Sequence, residues 1–176
     1  EDDPLVGWVL PNDATRAKRW TAIMDAMLRR AIKRDAYETY ATGDGAACAM
    51  WGRPGAWDVP ASVMLPAAPR MLRNLGLGGV ARLNIAMAAL KKAHPHEEHW
   101  YLAGIGTDPP AQGTGLGGAL VRQMLERCDR ERVPSYLETQ KERNVPWYEK
   151  FGYRVTGEID LPKGGPHLWL MWRDPQ

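Results

Sequence analysis

Residues 112–118, QGTGLGG, carry four glycines in seven positions. Glycines ahead of a helix expose backbone N–H groups at its N-terminus, where the macrodipole adds partial positive charge and missing Cβ atoms let an anion approach. Phosphate is the ligand such a loop offers. Two frames fit the spacing: Gly113, Gly115 and Gly118 give the G-x-G-x-x-G of a dinucleotide-binding turn, while Gln112, Gly115 and Gly117 give Q-x-x-G-x-G. A second cluster, HPHEEHW at residues 94–100, has ligand-type side chains but not the spacing of a metal site. The motif H-E-x-x-H would need histidine where Trp100 stands, and Pro95 with the strand after it keeps His96 and His99 off a common helical face. No metal site is expected.

The elements that must hold these residues are legible from periodicity. After Pro11, Asn12 or Asp13 offers an N-cap, and Trp20, Ile23, Met24, Met27 and Leu28 recur at helical spacing. AYETYATGDGAACAMW, from Ala36 to Trp51, reads as a hairpin around Gly-Asp-Gly. From Ala61 to Ala93, prolines and glycines divide apolar positions into two or three short helices, with Val80, Leu83, Met87 and Leu90 as the clearest stripe. HWYLAGIGT is a strand, and a helix follows with Leu116, Leu120, Met124, Leu125 and Cys128 on one face. PSYLET is a strand, NVPWYEKF a short helix closed by Gly152 and capped by Asn144, and YRVTGEIDL and HLWLMWRD are strands around the turn PKGGP. Gly104 and Gly106 interrupt their strand, as at a bulge or where another backbone comes close.

Composition narrows the function classes. The 176 residues fit one mixed α/β domain. Lys+Arg 23 against Asp+Glu 21, without a basic stripe, argues against nucleic acid. Apolar runs are too short for a bilayer span, and two cysteines, Cys48 and Cys128, make no disulfide framework, which points to a reducing cytoplasm. The dinucleotide frame is disfavoured because DPPAQ separates strand from glycines and too little chain follows Glu138 for further βαβ units. A Walker loop lacks its Gly-Lys-Ser/Thr.

GIGTDPPAQGTGLGGALV followed by YLETQKERNVPWYEKFGYRV resembles the core of the GNAT superfamily of N-acetyltransferases, in which Q/R-x-x-G-x-G/A is the pyrophosphate loop. DPLVGWVLP, DGAACAMW and HWYLAGIG further resemble its puromycin N-acetyltransferase-like branch. The resemblance implies a mostly antiparallel sheet flanked by helices. Its acceptor half covers about residues 1–97 and its acetyl-CoA half about 98–176, and the family's first strand is missing from the chain.

It also implies roles. Acetyl-CoA would lie along Ile105, Gly106 and Thr107 as a pseudo-strand, with its pyrophosphate on the N–H groups of Gln112, Gly113, Thr114, Gly115, Leu116, Gly117 and Gly118, and with Asn144 nearby. Tyr148 would protonate the departing thiolate. An amine attacks only after losing a proton, so a base is required: Glu97 or Glu98, with Glu138 as the alternative or as a substrate ligand. Trp51, Trp57, Trp100 and Tyr101 fall on segments that would surround a small-molecule amine. The chain would act as a monomer or homodimer, without metal, membrane or nucleic acid.

Overall fold

A computed structural model describes residues 3–11, 14–58, 60, 62 and 65–176. The Asp3 carboxylate accepts from the backbone N–H groups of Leu5 and Val6 at 2.8 and 3.0 Å and Pro4 fixes the first φ, so Pro4–Val9 forms helix α1, too short to show a periodicity. Arg16–Lys33 is α2. The caps expected at Asn12 or Asp13 lie outside the described residues. Its Ile23 is fully buried, and Trp20, Met24 and Met27 pack around Val9, Leu10, Leu75 and Leu83.

Strands Tyr37–Ala41 (β1) and Ala47–Gly52 (β2) form the expected hairpin. Its turn is closed by the Asp44 carboxylate, which accepts from the Thr42 hydroxyl and the Ala46 N–H. The short helices expected here are observed: Ala68–Ala93 (α3) is two helices that meet at a kink where Gly76 takes φ 68° and ψ 175°. Its buried stripe differs. Leu83 faces inward but Met87 is 45% exposed, and Ala86 takes the inward place against Leu161 and Leu168. Small residues let α3 pack close: a Cβ on Gly79 would come within 3.2 Å of the Val9 carbonyl oxygen.

The remaining strands are Trp100–Thr107 (β3), Ser135–Thr139 (β4), Arg154–Asp160 (β5) and His167–Arg173 (β6). They join one six-stranded sheet in the order β1-β2-β3-β4-β6-β5, in which only β3 and β4 run parallel. A parallel pair needs a crossover, supplied by Leu116–Glu131 (α4). The expected α/β fold, mostly antiparallel and flanked by helices, is the one observed.

Alternation along the strands gives the sheet two chemically distinct faces. Trp51, Trp100, Leu102 and Leu137 form the core under α4 with Leu120, Val121, Met124 and Cys128. Tyr101, Tyr136, Leu170 and Trp172 point to the other face, where Ala93 at the end of α3 meets them. No helix among the described residues is long and apolar enough to cross a membrane.

Candidate functional site

The central strands part company halfway along. β3 and β4 are in register at Trp100–Ser135, Tyr101–Tyr136 and Leu102–Leu137 only, after which each continues without the other. On its opposite edge β3 pairs Leu102 with Trp51 and Gly104 with Met50, leaving Ala103 as the extra residue of a bulge. A strand edge freed in this way presents main-chain donors and acceptors to an extended ligand. Gly104 and Gly106 fit this use, since a Cβ on either would meet no atom within 4 Å. The interruption seen in the sequence is thus a bulge beside an opened edge.

The glycine loop starts just past that edge. The Gln112 amide donates to the Thr107 carbonyl at 3.1 Å and the Thr114 hydroxyl to the Ala111 carbonyl, which ties the loop to the strand end. Gly113 and Gly115 have φ of 79° and 88°, the left-handed region that glycine enters without strain, and Gly115 is the N-cap of α4. Gly117 and Gly118 serve packing instead: a Cβ there would touch Thr107 Oγ1 at 3.3 Å and the Phe151 ring at 3.4 Å. The N–H groups of Leu116, Gly117 and Gly118 open the helix and have no acceptor within it. They are the donors that the sequence reading offers to an anion.

A groove of about 430 Å³ connects these parts. Ile105, Gly106 and Thr107 line it from β3, Gln112 and Gly117 from the loop, and Asn144, Trp147 and Tyr148 from the far side. Gly113, Thr114, Gly115, Leu116 and Gly118 lie next to it in the loop and the first turn of α4. Arg143, which sequence reasoning missed, also lines it; its charge in a family-like loop was the available signal. Val145–Glu149 is the short helix α5 expected before Gly152, whose φ is 87°. Asn144 precedes α5, but its side chain does not cap it. A 3-10 turn at Glu142–Asn144 feeds the helix directly, and the Asn144 amide donates instead to Thr139 Oγ1 at 3.2 Å, bracing the end of β4. Tyr148 is 6% exposed, and burial pushes its phenol up to about 12. Its hydroxyl has no hydrogen-bond partner among the described residues.

Glu138 stands one residue beyond the last β3–β4 pair, on the face away from α4. Its side chain is 4% exposed, and Oε1 makes no hydrogen bond. His94 Nδ1 faces that oxygen at 3.6 Å, His94 Nε2 lies 2.9 Å from His99 Nε2, and His99 Nδ1 lies 2.6 Å from the Glu97 carbonyl. Trp57 stacks on His94 with ring centroids 3.5 Å apart, and Tyr101 and Tyr136 meet it edge-on. Burial and the Glu138 charge push the Tyr37, Tyr101 and Tyr136 phenols up, and the Tyr101 and Tyr136 hydroxyls lie against the Glu138 carboxylate, which favours their protonated forms further. The sequence reads HPHEEHW as a His-rich strand entrance that assists proton removal; that His94 and His99 of this stretch face inward as partners was not anticipated.

The other candidate residues divide by position. Glu97 and Glu98 are exposed and precede β3, whereas the groove lies at its far end; the seven residues from Glu98 to Ile105 span roughly 20 Å when extended. Trp51 and Trp100 are core side chains, 0% and 2% exposed, on the α4 face, and the Trp100 indole donates to Glu131. Tyr101 and Glu138 share the opposite face. Among the described residues no group of three or more His, Cys, Asp or Glu side chains gathers as metal ligands would.

Comparison with known proteins gives likenesses to part of the chain and to the fold. The model of the acetyltransferase (GNAT) family matches residues 67–153, which include the whole groove. An uncharacterized N-acetyltransferase of Schizosaccharomyces pombe is 34% identical over 89 residues, 49% of this chain and 35% of that protein, so the match spans about a third of the relative's length. Among solved structures, a Corynebacterium glutamicum protein described as histone acetyltransferase HPA2 and related acetyltransferase superposes with TM-score 0.62 at 23% identity, covering 98% of this chain and 88% of that one. The polyamine N-acetyltransferase of Drosophila melanogaster gives TM-score 0.60 at 13% identity with the same coverages. At these identities the likenesses establish the fold.

Proposed function

We propose that the chain, whose residues 67–153 match the model of the acetyltransferase (GNAT) family, is an acetyltransferase of that family and moves the acetyl group of acetyl-CoA to a primary amine of a small molecule by direct attack in a ternary complex. The observation that carries this reading is the groove itself: an opened strand edge, a glycine anion cradle at a helix N-terminus, and a buried tyrosine all border one cavity. A pantetheine arm is an extended amide chain and fits beside Ile105, Gly106 and Thr107, with the pyrophosphate on the N–H groups from Gly113 to Gly118. The donor supplies a thioester carbonyl open to an amine.

Tyr148 donates a hydrogen bond to the departing sulfur. The amine arrives as ammonium, and Glu138 is the base we assign, because it stands at the mouth of the splayed strands with an unpartnered oxygen. Glu97 and Glu98, one strand length away, fit an outer role at the surface. Tyr101 and the Trp57–His94 stack form an aromatic wall beside Glu138, which suits a flat amine of the kind the puromycin-like resemblance suggests. A reducing, cytoplasmic setting accords with free Cys48 and Cys128.

The test is release of free thiol from acetyl-CoA over a panel of aminonucleosides, aryl amines, amino acids, polyamines and peptide N-termini. Release with small flat amines is expected. Binding of acetyl-CoA without release for any amine would leave a non-catalytic acyl-CoA-binding module.

A further inference from the structure

Two glycines in the middle of a central strand call for a cause, because glycine there costs backbone entropy and gives the sheet no side chain to pack. Neither ordinary cause applies. Gly104 and Gly106 do not take the positive φ that glycine alone enters easily, and a Cβ on either would meet no atom within 4 Å. Gly52 on the neighbouring strand shows the contrast: a Cβ there would come within 3.2 Å of Tyr37 and 3.4 Å of Tyr101, so packing demands glycine. An extended ligand along the opened edge of β3 tolerates Gly104 and Gly106 but does not require them. It lies in the plane of the sheet, whereas a Cβ points out of that plane.

Register shows which face the two glycines leave open. Residues paired across antiparallel strands share a face. Gly104 pairs with Met50 and Gly106 with Cys48, and these pair in turn with Thr39 and Ala41 of β1. Glu38, next to Thr39, reaches Arg127 of α4 at 2.8 Å, so Thr39, Ala41 and their partners point away from α4, to the side of Tyr101 and Glu138. All six except Met50 are exposed, and none carries a charge. They make a floor of small residues that starts beside the splayed strands at Gly104 and meets the groove at Gly106, roughly 7 Å further on.

We propose that the body of the acceptor lies on this floor and that Gly104 and Gly106 are its specificity-determining residues. With no side chain in between, a flat, uncharged body rests on the backbone of β3 while its one amino group reaches Glu138. The inference rests on the acetyltransferase reading for calling this ligand the acceptor, and it deepens that reading by naming the substrate class: ring-bearing primary amines with a single positive charge. An amine with further charges is disfavoured, because the floor holds no acid to receive a second ammonium and desolvating it there is uncompensated.

Cys48 reports on the floor without turnover. It is exposed while Cys128 is buried, so alkylation of the native chain by iodoacetamide follows Cys48. With CoA present, tryptamine or puromycin at ten times its Kd should slow this alkylation by about tenfold, and spermidine should not. Equal rates with and without both flat amines would overturn the proposal, as would protection by spermidine as strong as theirs. Gly104→Val, or Gly104→Ala if the larger side chain distorts the strand, should abolish the protection and raise the KM of the flat amine by about tenfold or more. Acetyl-CoA affinity by calorimetry should be unchanged, and Tm should rise by about 1–4 °C because the new side chain restricts the unfolded chain. A variant that loses acetyl-CoA affinity while the protection and the KM of the amine stay put would assign the glycines to the donor edge and overturn the proposal. Protection of Cys48 by flat amines with no thiol release from acetyl-CoA would uphold the floor as their site while sinking the acetyltransferase reading.

Discussion

Tyr148 shows how burial changes what a side chain can do. With its phenol pushed up to about 12, handing a proton outright to a thiolate of pKa ~8.5 would be uphill by about 5 kcal/mol, so in the proposed reaction it would serve as a hydrogen-bond donor that keeps its proton. Removing such a bond to a developing charge costs about 1.5–3 kcal/mol, and Tyr148→Phe should lower kcat roughly 10- to 150-fold with acetyl-CoA affinity largely kept. Single-turnover kinetics and calorimetry check the two halves of that statement, and an unchanged kcat would remove Tyr148 from the chemistry. The resemblance to the GNAT superfamily singled out this residue, four positions after Asn144. It did not reveal that Asn144 spends its side chain on Thr139, because a 3-10 entry into α5 depends on how β4 ends.

At the scale of elements, α4 carries the proposed anion cradle at one end and is anchored at the other. Arg173 of β6, 4% exposed, holds Asp129 through two bonds of 2.7 and 2.9 Å, donates to the Phe151 carbonyl, and so links α4, β6 and the segment after α5. Replacing Asp129 by Asn leaves a buried guanidinium without its counter-charge, and urea unfolding should show a loss of about 3 kcal/mol. The guanidinium holds the Asp129 carboxyl below the usual range, so its contribution is complete above the unfolded value of ~3.9 and is lost as pH falls through the lower folded value. The stability gap between parent and Asp129→Asn should therefore be constant at neutral pH and narrow below about pH 4. If acetyl-CoA binding also weakens, the anchor positions the cradle; an unchanged affinity would confine it to stability.

At the scale of the molecule, one sheet supports the proposed donor groove, so ligand binding there would be linked to stability. Acetyl-CoA at a hundred times its Kd should add about 2.7 kcal/mol, a rise in Tm of roughly 5–10 °C for a chain of this size, while NAD(H) should add nothing. Stabilisation by NAD(H) alone would restore the dinucleotide frame of the glycine loop. What the sequence determined by itself was local: helices and strands wherever apolar residues keep period 3.6 or 2, and a glycine turn that leads into a helix. Tertiary structure alone decided that β3 and β4 separate after Leu102 and Leu137, that Trp51 and Trp100 point under α4 while Tyr101 points away, and that His94 meets Glu138 from 44 residues away. The physical reason is that strand register and the face a side chain occupies are set by long-range pairing and packing, whose cost in chain entropy and gain in burial fall on residues that no short window of sequence contains.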